Sequence, residues 1–303
     1  MFRYLYQRLV QSAILLVLVS MIAFGVLYLA PGGPLSQFAL TPGMSQADLD
    51  RIATQMGLNR PLPVQYWDWF SRLAQGDWGK SFRDGRPVLT VIGDHLFATL
   101  LLMGSSTLIA ILLGTWIGIK GAIARYSTFD YLATVGAMVA LSIPTFWFGL
   151  VTIYVFSVKL RWLPAGNIMT IGNGSLLDYL HHLIAPSLVL ALVTVAIWSR
   201  YMRTARAKGL PERVVLFHHV VRNALLPMIT LAGLQLPTLL GGALVTETVF
   251  TWPGMGRLFL DSLSYRDYPV VMGLLMVSAV LVLVGNLLAD IVCAMVDPRI
   301  RVG

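Results

Sequence analysis

Charge is scarce in this sequence. Only 12% of its 303 residues are Asp, Glu, Lys or Arg, about half the share of an average soluble domain. With 57% hydrophobic residues, such a chain cannot cover a water-facing surface, so most of it must face lipid or other apolar helices. Cysteine is almost absent too. Cys293 alone excludes an internal disulfide and a cysteine metal cluster. The five histidines, His95, His181, His182, His218 and His219, fall at no HExxH or comparable ligand spacing, so no metal site is expected. No GxxxxGK[ST] phosphate loop occurs, so no nucleotide chemistry is expected of this chain. Internal repeats and low-complexity tracts are also missing. The charge that remains is biased, with a net +8. Its cations flank apolar runs, which points to membrane topology rather than to nucleic acid.

What is present is a series of six apolar runs: Leu9–Leu29, Phe97–Ile119, Tyr131–Val158, Leu183–Ser199, Pro227–Phe250 and Val270–Val296. The first has no charge over 21 residues, and about 20 helical residues cross a hydrocarbon core. Ala30-Pro31-Gly32-Gly33-Pro34 follows it and reads as a turn rather than a signal-peptide cleavage site, so an uncleaved first helix is expected. With the N-terminus inside, 12 Lys and Arg of the short loops and ends lie on one side and 4 on the other. The expectation is an all-α polytopic membrane protein with six transmembrane helices and both termini cytoplasmic. Residues 1–30 form the cytoplasmic N-terminus and first helix, 31–96 an extracytoplasmic domain, and 97–303 a five-helix core. Gly114 and Gly118 form a GxxxG suited to ordinary close helix packing.

Within 31–96, Ser45 and Asp48 have capping-box spacing, and Leu49, Ile52, Ala53 and Met56 repeat at helical intervals up to Gly57. Tyr66, Trp69, Phe70 and Leu73 do the same up to Gly76. Those aromatics suit a small core or an interfacial belt equally. Short helices and many turns leave little room for a deep pocket, so this domain is expected to cap or dock a partner rather than hold the main substrate site.

The most polar run of the second half is Arg203–Pro227. It sets small residues (Ala205, Ala207, Gly209) among cations (Arg203, Arg206, Lys208, Arg213, Arg222) and ends in a proline that opens the next apolar run. Charge alone does not demand alanine and glycine there, whereas a helix seating in a cleft of a separate subunit does. Inside the membrane, the acids Glu247 and Asp290 are pathway candidates, as are Ser142, Pro144 and Pro237, where prolines can bend helices and release carbonyls. Structural pairing of the acids and plain kinks are the alternatives.

The run resembles the EAA loop of ABC importer permeases. Arg203-Thr204-Ala205-Arg206-Ala207-Lys208-Gly209 aligns with its first half, continuing into Leu210, and Arg222-Asn223-Ala224-Leu225-Leu226-Pro227 aligns with its end. The likeness extends to Leu29–Pro34, Leu58–Pro61 with Gln65-Tyr66, Gly76-Asp77-Trp78-Gly79-Lys80-Ser81, Ser142–Trp147, Thr246–Gly256, Arg266-Asp267-Tyr268-Pro269 and Asp297-Pro298-Arg299. Together these are similar to the B-type permease subunit of dipeptide and oligopeptide importers. The resemblance implies a type I importer fold and a coupling loop at 203–227. It also implies a second homologous permease subunit, two cytoplasmic ATPases carrying ATP and Mg, and an extracytoplasmic solute-binding protein, all in a bacterial inner membrane. Nickel chelate, glutathione and sugar permeases share the scaffold. An ion-coupled carrier using Glu247 and Asp290, or a membrane enzyme using the histidine pairs, is the rival class. Two departures stand out. Gly33 replaces the family's usual aspartate, and Arg200-Tyr201-Met202 runs straight into Arg203 where the family carries a further helical segment.

Overall fold

The computed structural model describes residues 2–29, 33, 35, 38, 43–172, 174–206 and 243–296, with the backbone alone at some helix ends, 201–206 included. Among these residues every regular element is helical. The helices are α1 (Phe2–Leu29), α2 (Gln46–Gln55), α3 (Leu62–Ala74), α4 (Val88–Ile123), α5 (Thr128–Ser142), α6 (Thr145–Thr152), α7 (Leu176–Arg206), α8 (Met255–Ser264) and α9 (Tyr268–Val296). Helix α6 continues into a π-helical turn, Ile153–Lys159, and residues 243–249 are helical. Four stretches are long and apolar enough to cross a membrane: Tyr6–Tyr28, Val88–Gly121, Leu176–Arg200 and Tyr268–Ile291.

The expected third span, Tyr131–Val158, is not one straight helix. It is α5 and α6, bent by 108° between Ser142 and Thr145. Pro144 lacks the N–H that a continuing helix needs, and its ring pushes the preceding residue out of the helical region. Ile143 is accordingly extended, at φ −91° and ψ 128°. Of the expected fifth span, residues 227–242 lie outside the described residues.

The chain divides into two compact units, Met1–His95 with Leu258–Leu283, and Leu96–Arg257 with Val284–Gly303. In the first, α2 opens on the expected capping box. The Ser45 hydroxyl accepts the Asp48 N–H at 3.2 Å, and the Asp48 carboxylate accepts the Ser45 N–H at 3.2 Å. The aromatic face of α3 forms core rather than belt. Tyr66 and Trp69 pack on Ala23, Phe24 and Leu27 of α1 and on Val271 and Met272 of α9. The Tyr66 hydroxyl lies 2.8 Å from that of Ser20. Trp67, on the other face, stays 65% exposed. The loop 76–87 is pinned by buried Asp267, which accepts the Ser81 hydroxyl and, at 3.0 Å, the Phe82 N–H.

In the second unit, Ala98, Leu102 and Met103 of α4 pack with Leu183 and Leu190 of α7, Ala243 and Trp252. Ala137 and Ala140 of α5 meet Ala196 of α7. A Cβ on Gly114 would come within 2.9 Å of the Trp198 Cβ, so the glycine is what lets α4 approach α7. Small residues at such contacts let backbones close up where no water drives association.

Candidate functional site

Helix α7 runs unbroken from its apolar stretch through Arg203, Thr204 and Ala205 to Arg206. The first four residues of the Arg203–Pro227 run are thus helical in phase with a helix long and apolar enough to cross a membrane. Ala207, Lys208, Gly209, Leu210, Arg222, Asn223, Leu226 and Pro227 lie outside the described residues, as do Pro237, His218 and His219.

Ser142 and Pro144 stand at the break in the expected third span. The Ser142 hydroxyl donates back to the Met138 carbonyl at 2.8 Å, and Pro144 precedes the first residue of α6. Asp290 sits half-buried in α9 and is engaged by a partner.

Glu247 is the most constrained of the candidates. Its side chain is fully buried, and both carboxylate oxygens are occupied. One accepts the Thr99 hydroxyl of α4 at 2.6 Å. The other accepts the N–H groups of Gly256 and Arg257, at 2.7 and 3.1 Å, in the first turn of α8. A carboxylate there satisfies orphan donors and the positive end of the helix dipole together. Thr99 completes the ring by accepting the Met255 N–H at 2.7 Å. Beside it, fully buried Trp252 donates its indole N–H to the Ala98 carbonyl at 2.9 Å. A Cβ on Gly254 would run into the Glu247 carboxylate, and one on Gly256 would crowd Leu244. The glycines therefore hold open the space that the carboxylate fills. The geometry is that of a clasp joining α4, residues 243–249 and α8.

Thr99, Trp252 and α8 itself do not emerge from the apolar pattern. A signal for the clasp exists in Glu247 followed at seven and nine residues by Gly254 and Gly256, just ahead of an amphipathic helix. Of the two histidine pairs in the rival enzyme reading, His181 and His182 are described: His181 meets the Trp162 carbonyl at 2.7 Å, and His182 meets the Asp178 carbonyl at 2.9 Å, with the Asp178 carboxylate 3.6 Å away.

Comparison with known proteins gives one family throughout. Residues 110–302 match the family described as binding-protein-dependent transport system inner membrane component, and residues 1–103 match its N-terminal companion. The chain is 44% identical to the oligopeptide transport system permease protein AppB of Bacillus subtilis, over 98% of this chain and 99% of the relative. It is 35% identical to the dipeptide transport system permease protein DppB of Alkalihalophilus pseudofirmus, over 99% and 100%. It is 36% identical to the glutathione transport system permease protein GsiC of Salmonella typhimurium, over 99% of each. These alignments run to 313, 334 and 314 positions against 303 residues here, so each relative carries residues that this chain lacks. By this end-to-end similarity, the chain belongs to the binding-protein-dependent transport permease family, within its dipeptide and oligopeptide ABC permeases.

Proposed function

We propose that this multi-pass membrane protein, a permease subunit of an ABC importer, forms half of a pathway for peptides or a chemically similar small solute across a bacterial inner membrane. The similarity over nearly the whole chain to an oligopeptide permease carries the reading. The glutathione permease among the relatives favours glutathione as a second solute; nickel chelate and sugar remain further alternatives of the same class. Six transmembrane helices, cytoplasmic termini, and an outer domain at 31–96 that docks the solute-binding protein complete the architecture. The 12 to 4 distribution of cations supports that orientation.

The pathway lies between this chain and a second homologous permease subunit. Two cytoplasmic ATPases bind ATP and Mg and seat the loop at 203–227. ATP can bias inward against outward states only through contacts that differ between them. The loop supplies those contacts, and α7, helical from Leu176 to Arg206, carries them into the membrane. Membrane lipid surrounds the helices, and no cofactor or nucleic acid is assigned to this chain.

Ala205→Glu would place an uncompensated charge in the ATPase cleft, which is strongly unfavourable. Gly209→Trp would put a bulky side chain where the resemblance to the EAA loop calls for a small residue. Both should insert normally and lose ATP-driven uptake in reconstituted complexes, whereas replacing His218 and His219 by alanine should leave uptake largely intact. Normal uptake by both loop variants, with the histidine variant dead, sinks the reading.

A further inference from the structure

Two stretches that carry the family likeness, Gly76–Ser81 and Arg266–Pro269, lie outside the 203–227 run. In the first unit they meet around a cavity of about 320 Å³. The sequence of 31–96 by itself leaves little room for a pocket; the space closes only because α1 and α9, remote in sequence, supply two of its walls. Six aromatic rings line it: Phe24 and Tyr28 of α1, Trp69 of α3, Trp78 and Phe82 of the loop, and Tyr268 of α9. Three exposed charges share it: Arg72, Lys80 and Asp77. The Arg72 Nε reaches the Asp68 carbonyl at 3.3 Å. Neither the Arg72 guanidinium nor the Lys80 ammonium meets a carboxylate among the described residues. Asp77 accepts the Gly79 N–H at 3.0 Å with one oxygen.

The walls are set in advance. Asp267 ties the loop at Ser81 and Phe82, and the Gly79 carbonyl accepts the Val88 N–H at 3.1 Å. A Cβ on Gly273 would sit 2.5 Å from a Val88 methyl, so α9 lies hard against the start of α4. An aromatic floor under two cations that meet no carboxylate among the described residues, with one carboxylate beside them, is the composition of a small-ligand site.

We propose that this cavity binds a small zwitterion with an apolar side chain, an amino acid or the end of a short peptide. The ligand carboxylate meets Arg72 and Lys80, its ammonium meets Asp77 and the ring faces, and its side chain enters the aromatic floor. The volume equals about ten waters, which admits one or two residues but not both chains of a phospholipid. The ligand class follows from the cavity's own charges, so the site stands apart from the importer reading.

The test uses the full chain in phospholipid nanodiscs, titrated by calorimetry with leucyl-phenylalanine and with 3-phenylpropionate, which lacks the ammonium. The wild type binds the dipeptide. Arg72→Gln with Lys80→Gln weakens it by at least about tenfold, since each loses a charge-assisted hydrogen bond. Asp77→Asn weakens the dipeptide and leaves phenylpropionate unchanged. All three side chains are exposed, so the fold persists in the variants. No binding by the wild type in nanodiscs of any lipid tried, or equal binding by the variants, overturns the proposal. A complex that imports without binding here defeats this site alone; a chain that binds without ATP-driven import defeats the importer reading alone.

Discussion

Glu247 shows how an acid can persist near the end of an apolar span. Its cost is met by three donors at 2.6 to 3.1 Å, two of them backbone groups that α8 would otherwise leave unsatisfied. The clasp is reciprocal, since removing Thr99 strands both a carboxylate oxygen and the Met255 N–H. Thr99→Val keeps the shape and deletes the hydroxyl. Each buried group left without a partner costs about 1–3 kcal/mol, so the variant should unfold at a visibly lower temperature in detergent, while Ser142→Ala, at an exposed hydroxyl, should not. Equal melting of Thr99→Val and wild type would show that the clasp contributes nothing. The acid itself is legible in the sequence, but its partner is not. Thr99 lies 148 positions away, on a helix whose apolar pattern gives no reason to single out one threonine.

At the scale of elements, local signals and long-range ones part company. Helix α2 is legible because its start is written locally, in Ser45 and Asp48, and its end is written in Gly57, which adopts φ +70°. The break at Pro144 is legible as a possible bend, but its 108° angle depends on what α5 and α6 pack against. Helix α8 is missed because its ten residues fall short of the span length that organises the reading. The role of the α3 aromatics is decided only by α1 and α9.

The cap of α2 also sets a pH dependence. Hydrogen bonds from the Ser45 hydroxyl and N–H hold the Asp48 carboxyl below its ordinary range. A depressed folded value means that the cap's contribution is complete above the unfolded value and is lost as pH falls through the folded one. Protection of the Asp48 and Leu49 amides, taken relative to free-peptide exchange at the same pH, should therefore persist until the solution is more acidic than an ordinary carboxylate requires, then fall. Loss of that protection in the ordinary carboxylate range would mean that the box is not formed.

For the whole molecule, topology and energy source are the properties that matter. Cys293 is the single native thiol, so single cysteines report sidedness against a low background. Asn59 is exposed, whereas Ser81 is buried against Asp267 and would report poorly. Cysteine at Asn59 should react with a membrane-impermeant reagent in intact cells, and cysteine at Lys120 should not. The opposite pattern reverses the orientation drawn from the cations. The apolar runs make an all-helical, multi-pass membrane protein legible at this scale. The division into two units is not, because Leu258–Leu283 joins residues some 160 positions or more earlier in the chain.

The most direct test of the account is the energy source of transport. The chain, its partner permease, the ATPases and the binding protein would be reconstituted in sealed vesicles, with labelled peptide outside and ATP with Mg inside. The account predicts uptake that requires ATP hydrolysis and persists when proton and sodium gradients are collapsed by ionophores. Uptake that proceeds without ATP and vanishes with those gradients would contradict it.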